Sequence, residues 1–357
     1  MINYRKSYFK KLIFSAVGLI PTSILMRLAK LDVLLPYHHL VSDSYAPHIS
    51  PLYDFKNVKE FKKDLDYLLR YFSPISPIDI VDALVHSKPI PKNSFLLTFD
   101  DGLREVYDTV APILKEKGLP AVFFLNSDFI DNRKLFYRFK AGLIIDKILS
   151  GAVSQAKQEE IEYLIEGELG YLRGSVIDKI KVIDYHSKSI LSEIATTVGV
   201  SYSDFLESYK PYLTSDQIIK LSRDGFYFGA HSIDHPNYEL IDINHQLYQT
   251  IESANFVNNR YNFEHNFFAF PHLDKSVSEK FFDIISGRDI GRFDLIFGNC
   301  NQKKDKYPNI LHRFNSENPQ FDINTLVSSV LLYTCFNKLL GRTYVRRAKK
   351  NKNVQVH

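Results

Sequence analysis

The 357 residues carry 45 Lys and Arg against 41 Asp and Glu, a net charge of +4, with 45% apolar and 24% charged side chains. This is the composition of a folded globular chain, and the length suits one large α/β core with an insertion, since single cores stop growing near ~250–300 residues. So small a charge gives no footing for nucleic acid, and Cys300 and Cys335 are too few for a disulfide framework and lack metal-binding spacing.

Residues 1–30 form a basic and apolar segment, in which Arg5, Lys6, Lys10 and Lys11 precede an apolar run over 12–26. The run is shorter than the ~18–20 residues a spanning helix needs, and Pro21 interrupts it. It reads as a buried or interfacial segment without a cleavage site. A cytoplasmic or membrane-peripheral protein is therefore expected, with export as the alternative. Residues 31–320 read as one α/β unit. A short strand at 32–35 (DVLL) leads into a loop over 36–51, then an amphipathic helix over 58–71 with Phe61, Leu65, Leu68 and Leu69 at helical spacing. SFLLTF at 94–99 is a second strand, 105–117 a helix closed by Gly118, and AVFFL at 121–125 a buried parallel strand. From about 139 to 209 the pattern turns to helix-length segments, read as a helical insertion. Strands resume at 226–230, 267–270 and 293–297. The last segment, 321–357, opens with an apolar helix over 323–340. It ends in a basic tail, Arg342, Arg346, Arg347, Lys349, Lys350 and Lys352, able to touch an anionic membrane surface. No fixed-period repeat is present, so the alternation implies a barrel or a doubly wound sheet.

Two loops carry the chemistry. Asp100 and Asp101 end the strand 94–99 and precede Gly102, where sites of α/β proteins lie. Neighbours on a strand point to opposite faces, so both carboxylates reach one site only if the backbone turns there. Two like charges this close call for a positive partner such as a divalent metal, although a DDG turn that merely caps a helix has the same sequence. His231 and His235, in GAHSIDHP, follow the strand 226–230, and Pro236 keeps His235 out of a regular helix. Two imidazoles and a carboxylate suit zinc and similar divalent ions.

LLTFDDG and GAHSIDHP resemble the first and second motifs of the polysaccharide deacetylases of carbohydrate esterase family 4, and the likeness spans residues 32–317. The resemblance implies a distorted (β/α)7-type barrel with a helical insertion. It implies Asp100 as catalytic base, and Asp101, His231 and His235 as ligands of a divalent metal, zinc first, with cobalt, nickel or manganese as substitutes. FAFPHLD at 268–274 stands in place of the third motif, keeping Pro271, with His272 for the following ring, but lacking the usual arginine. The family's general acid is a late histidine, offered by His312 beside Arg313 in LHRFNSE. A subgroup similar to PYHHLVSD draws it from the N-terminal strand, where the spacing to Asp43 favours His39 and leaves His38 a structural role. Tyr137, Arg138, Arg292 and Arg313 are candidates for contacts with sugar or phosphate. The implied activity is removal of N-acetyl groups from an amino-sugar polysaccharide or its lipid-linked precursor, with no nucleic acid involved. An O-deacetylase or an inactive sugar-binding protein of the same fold are the alternatives, and neither the glycan nor the oligomeric state is written in the sequence.

Overall fold

The computed structural model describes residues 20–286 and 293–347; Arg292, the residues before Ile20 and the tail beyond Arg347 lie outside the described residues. Its centre is a ring of parallel strands. In chain order the strands are β1 (Val33–Leu34), β2 (Pro36–His38), β3 (Ser73–Pro74), β4 (Ser94–Phe95), β5 (Leu97–Phe99), β6 (Ala121–Leu125), β7 (Tyr227–Ala230), β8 (Phe267–Ala269), β9 (Leu295–Gly298), β10 (Ile310–His312) and β11 (Phe314–Asn315). β1, β4 and β3 make a small outer sheet, and the other eight run β10-β9-β8-β7-β6-β5-β2-β11. β1 continues through Leu35 into β2, and β4 through Leu96 into β5, so the strand expected at 32–35 is longer than its apolar run suggests. Pro36 hides that continuity. It has no N–H to donate, but a parallel strand can take it where the neighbour donates instead, as Phe314 N–H does to Leu35 O at 3.0 Å.

Only Arg313 separates β10 from β11. Residues 310–315 thus form one stave whose first half pairs with β9 (Ile310↔Ile296) and whose second half pairs with β2 (Phe314↔Pro36). That switch brings the two edges of the sheet together, and eight strands become a nearly closed barrel of seven staves. The ring is distorted where β7 meets β8 through the single pair Ala230↔Phe268.

Alternation along the staves sorts the core into two layers. Leu96, Val122, Phe124, Phe267, Ala269, Leu295 and Phe297 fill the lumen. Leu97, Phe99, Phe123, Leu125, Phe228, Phe268 and Ile296 face the surrounding helices. Gly229 lies on the lumen side, where a Cβ would come within 2.7 Å of the Phe124 ring and of Phe267 O; its bare Cα is what admits the phenyl ring. The helix Val58–Tyr71 is closed by a capping box between Asn57 and Glu60 and buries Phe61, Leu65 and Leu68, whereas Leu69 faces solvent. The helix expected over 105–117 begins with a π turn, Val106–Val110, and becomes α-helical only at Ala111–Glu116. Pro112 has no N–H to give the carbonyl four residues back, which removes one of the bonds that would hold the regular register. Six α-helices, Tyr137–Leu149, Gln155–Leu169, Val176–Val182, Ile190–Val198, Tyr202–Ser208 and Ser215–Arg223, stand between β6 and β7.

Candidate metal centre and active site

At the C-terminal end of β5, Asp101 has φ 68° and Gly102 φ 60°, two successive residues in the left-handed region. This turn carries the Asp101 carboxylate to the side already faced by Asp100, as the strand-to-glycine pattern predicts. β7 ends at Ala230, His231 follows it, and the loop beyond uses positive φ at Ser232 (71°) and His235 (62°) to fold the second imidazole back. Asp101 Oδ1 lies 3.3 Å from His235 Nε2 and 3.7 Å from His231 Nε2, and Asp100 Oδ2 lies 3.8 Å from His231 Nε2. All four side chains are buried. His231 Nδ1 meets Ala269 O at 2.8 Å; a proton on that nitrogen leaves the Nε2 lone pair free toward the carboxylates.

Asp101, His231 and His235 offer three donor atoms within 4.8 Å of one another. Asp101 Oδ1 is buried without a hydrogen-bond partner despite the two nearby nitrogens. Lone pairs converging in this way are held apart by repulsion unless a proton or a cation stands among them. Burial raises the Asp101 carboxyl to about 7, lowers His231 to about 4 and pushes His235 well below its ordinary value. Neutral imidazoles are the metal-binding form, and the N₂O set fits a zinc-like divalent ion.

Asp100 differs from Asp101 because Arg313 reaches it from the last stave. Nη1 donates to Oδ1 at 2.6 Å and Nη2 to Oδ2 at 2.8 Å, both partners being buried. Burial would raise the Asp100 carboxyl, but the guanidinium outweighs it and holds the group below its usual range. Arg313 was expected as a sugar or phosphate contact. Instead it is fully buried over the Tyr37 ring at 4.8 Å, on the Asp100 carboxylate.

His39 lies on the lumen side of the chain leaving β2. Its Nδ1 is 2.8 Å from Glu317 Oε2, and Glu317 Oε1 accepts from the His39 and Leu40 N–H groups at 3.2 and 2.7 Å. Burial works to lower His39, and the Glu317 carboxylate overrides it, raising the imidazole to about 10. Asp43, whose spacing suggested His39, instead accepts from Val58 N–H at 2.9 Å and caps a helix. Glu317 was missed as the orienting group, although it closes the LHRFNSE motif. Because the folded value lies above 6.5, the pairing stabilises the fold fully below pH 6.5 and is lost as pH rises through about 10. In metal-free protein, His39→Gln is expected to flatten the fall in melting temperature across that window; an unchanged profile would contradict the pairing.

Asp100, Asp101, His231, His235 and His39 line one cavity of about 830 Å³, together with Arg138, His272 and Tyr53. Other candidates lie elsewhere. Tyr137 turns to the opposite side of its helix, toward a separate cavity lined by Lys140 and Lys188. Pro271 is buried and does not line the site. His312 also falls outside it: Arg313 faces the lumen, so its neighbour on the same stave must face outward. There His312 Nε2 lies 3.0 Å from Asp305, and with Asp274 and Cys300 it forms a second group of close donors. Arg347 already sits on Asp274 at 3.0 Å and on Asp305, supplying the counter-charge. His38 stacks on Phe99 and meets Ser316 Oγ at 2.8 Å, the structural place expected for it.

A parallel barrel with two carboxylates and two imidazoles at the C-terminal mouth defines a metal-dependent hydrolase class of site. Residues 87–168, which include Asp100 and Asp101, match the model of the polysaccharide deacetylase family. Among solved structures it is similar to the deacetylase PplD of Streptococcus pyogenes in complex with acetate, at 14% identity and TM-score 0.51, over 83% of this chain and 97% of that one. It is similar also to IcaB from Ammonifex degensii, at 17% identity and TM-score 0.50, over 85% and 97%. At such identities the likeness is one of fold. No curated protein matches by sequence.

Proposed function

We propose that this protein removes N-acetyl groups from an amino-sugar-containing polysaccharide or its lipid-linked precursor. The observation that carries the reading is the division of labour between the two adjacent carboxylates. Asp100 is held ionised by Arg313, while Asp101 is left without a hydrogen-bond partner beside His231 and His235. A divalent ion bound by Asp101, His231 and His235, zinc in the first instance, would polarise the acyl oxygen and acidify water. Asp100 accepts the proton of the attacking water as the new C–O bond forms. His39, kept protonated by Glu317, gives its proton to the sugar nitrogen as the C–N bond breaks, so that acetate and a free amine leave. An amine cannot depart unprotonated, whereas an alkoxide leaves more readily, so a histidine raised to about 10 favours amide over ester cleavage. Arg138 and His272, at the cavity wall, are in place to meet the sugar.

Acetate released from N-acetylated and from O-acetylated oligosaccharides by metal-loaded protein tests the reading. Faster release from the N-acetylated substrate, abolished by chelation and restored by zinc, is expected. Release from esters alone would replace it with the O-deacetylase. No release from either, in protein shown to hold metal, would point to the sugar-binding alternative.

A further inference from the structure

The charges of this chain are segregated. Residues 1–31 and 323–357 hold 13 of the 45 Lys and Arg and none of the 41 Asp and Glu, leaving the body between them with 32 basic against 41 acidic side chains. The fold brings the described parts of these two segments together, because the helix Thr22–Ala29 packs against the helix Ile323–Leu339. The second of these is apolar on both sides. Val327 and Leu331 enter the core, while Tyr333, Phe336, Leu339 and Leu340 face solvent, the last two at 81% and 61% exposure. Ile24 and Leu28, one turn apart on the first helix, are exposed as well. Arg27, Lys30, Arg342 and Arg346 are exposed on the same two segments, and among the described residues none of them forms an ion pair. An exposed apolar patch on segments that carry unpaired cations has the make-up of an interfacial surface.

We infer that this two-helix face docks the protein on an anionic lipid leaflet. Charge complementarity selects that occupant over a second copy. A two-fold contact through this face would set Arg27, Lys30, Arg342 and Arg346 against the same four cations. No helix among the described residues is long and apolar enough to cross a membrane. An apolar groove of about 590 Å³ borders the face, lined by Phe314, Phe321, Val330, Tyr333 and Phe336. Asn315 and Asn318 line both this groove and the cavity that holds Asp100. On the deacetylase reading, on which this clause alone rests, a docked leaflet lies beside the site and a lipid-linked saccharide reaches it without leaving the membrane.

Sedimentation of the full-length protein with vesicles of phosphatidylcholine, with and without phosphatidylglycerol, tests the docking without any substrate, so it stands or falls apart from the acetate assay. Binding only to the anionic vesicles, weakened by salt, is expected. Arg342→Ser and Arg346→Ser should each lower partitioning roughly fivefold. Phe336→Ser with Leu340→Ser should lower it by about tenfold or more, and since both side chains are exposed the fold should be kept. Equal binding to neutral vesicles, or no binding at all, would overturn the inference. So would a dimer seen by light scattering that Phe336→Ser dissolves in a protein indifferent to vesicles.

Discussion

Replacing Asp100 with Asn is expected to leave the divalent ion bound and to lower turnover by roughly 10²–10⁴-fold, the range for loss of a positioned general base. Asn keeps the shape and still accepts one of the two Arg313 hydrogen bonds, but takes up no proton. His231→Ala should remove both metal and activity, because it deletes a donor of the Asp101, His231 and His235 group along with its tether to Ala269 O. Metal content after dialysis, read beside acetate release, separates the two. Equal metal loss in both variants would overturn the assignment of base and ligand.

Arg313→Met should cost the fold about 3–5 kcal/mol, the range for breaking a buried pair and stranding one charge. Asp100 would remain buried without the guanidinium that meets both of its oxygens. The sign with pH follows. In the wild type the Asp100 carboxyl sits below 3.8, so the pair's contribution is present above pH 3.8 and lost as pH falls through the folded value. In the variant, burial raises the carboxyl, and the deficit should shrink in mild acid where the group takes up a proton. Urea denaturation at neutral and acidic pH measures both effects. A loss under ~1 kcal/mol, typical of an exposed pair, would refute the buried-lock account.

The sequence exposes most of the frame because buried parallel strands leave unbroken apolar runs, as at 94–99 and 121–125, and because the two motif loops follow such runs. The final stave left no such signal. Residues 310–315 read ILHRFN, with His312 and Arg313 breaking the apolar pattern, since each faces a polar partner and not the core. With the strand unseen, its alternation could not be used. That alternation turns Arg313 inward and His312 outward, and on β2 the same rule separates His39 from His38. The Glu317 tether was equally hidden, since a contact across 278 positions leaves no local spacing to read.

The stave that switches neighbours has a consequence for biogenesis. Asp100 is translated 213 residues before the guanidinium that neutralises its surroundings, and Pro36–His38 waits still longer for the segment that covers its open edge. A growing polypeptide therefore presents Asp100 and most of its strands before the arginine that pairs with that carboxylate has been made. The pair closes when a hexapeptide near the far end takes its place between the first and penultimate staves.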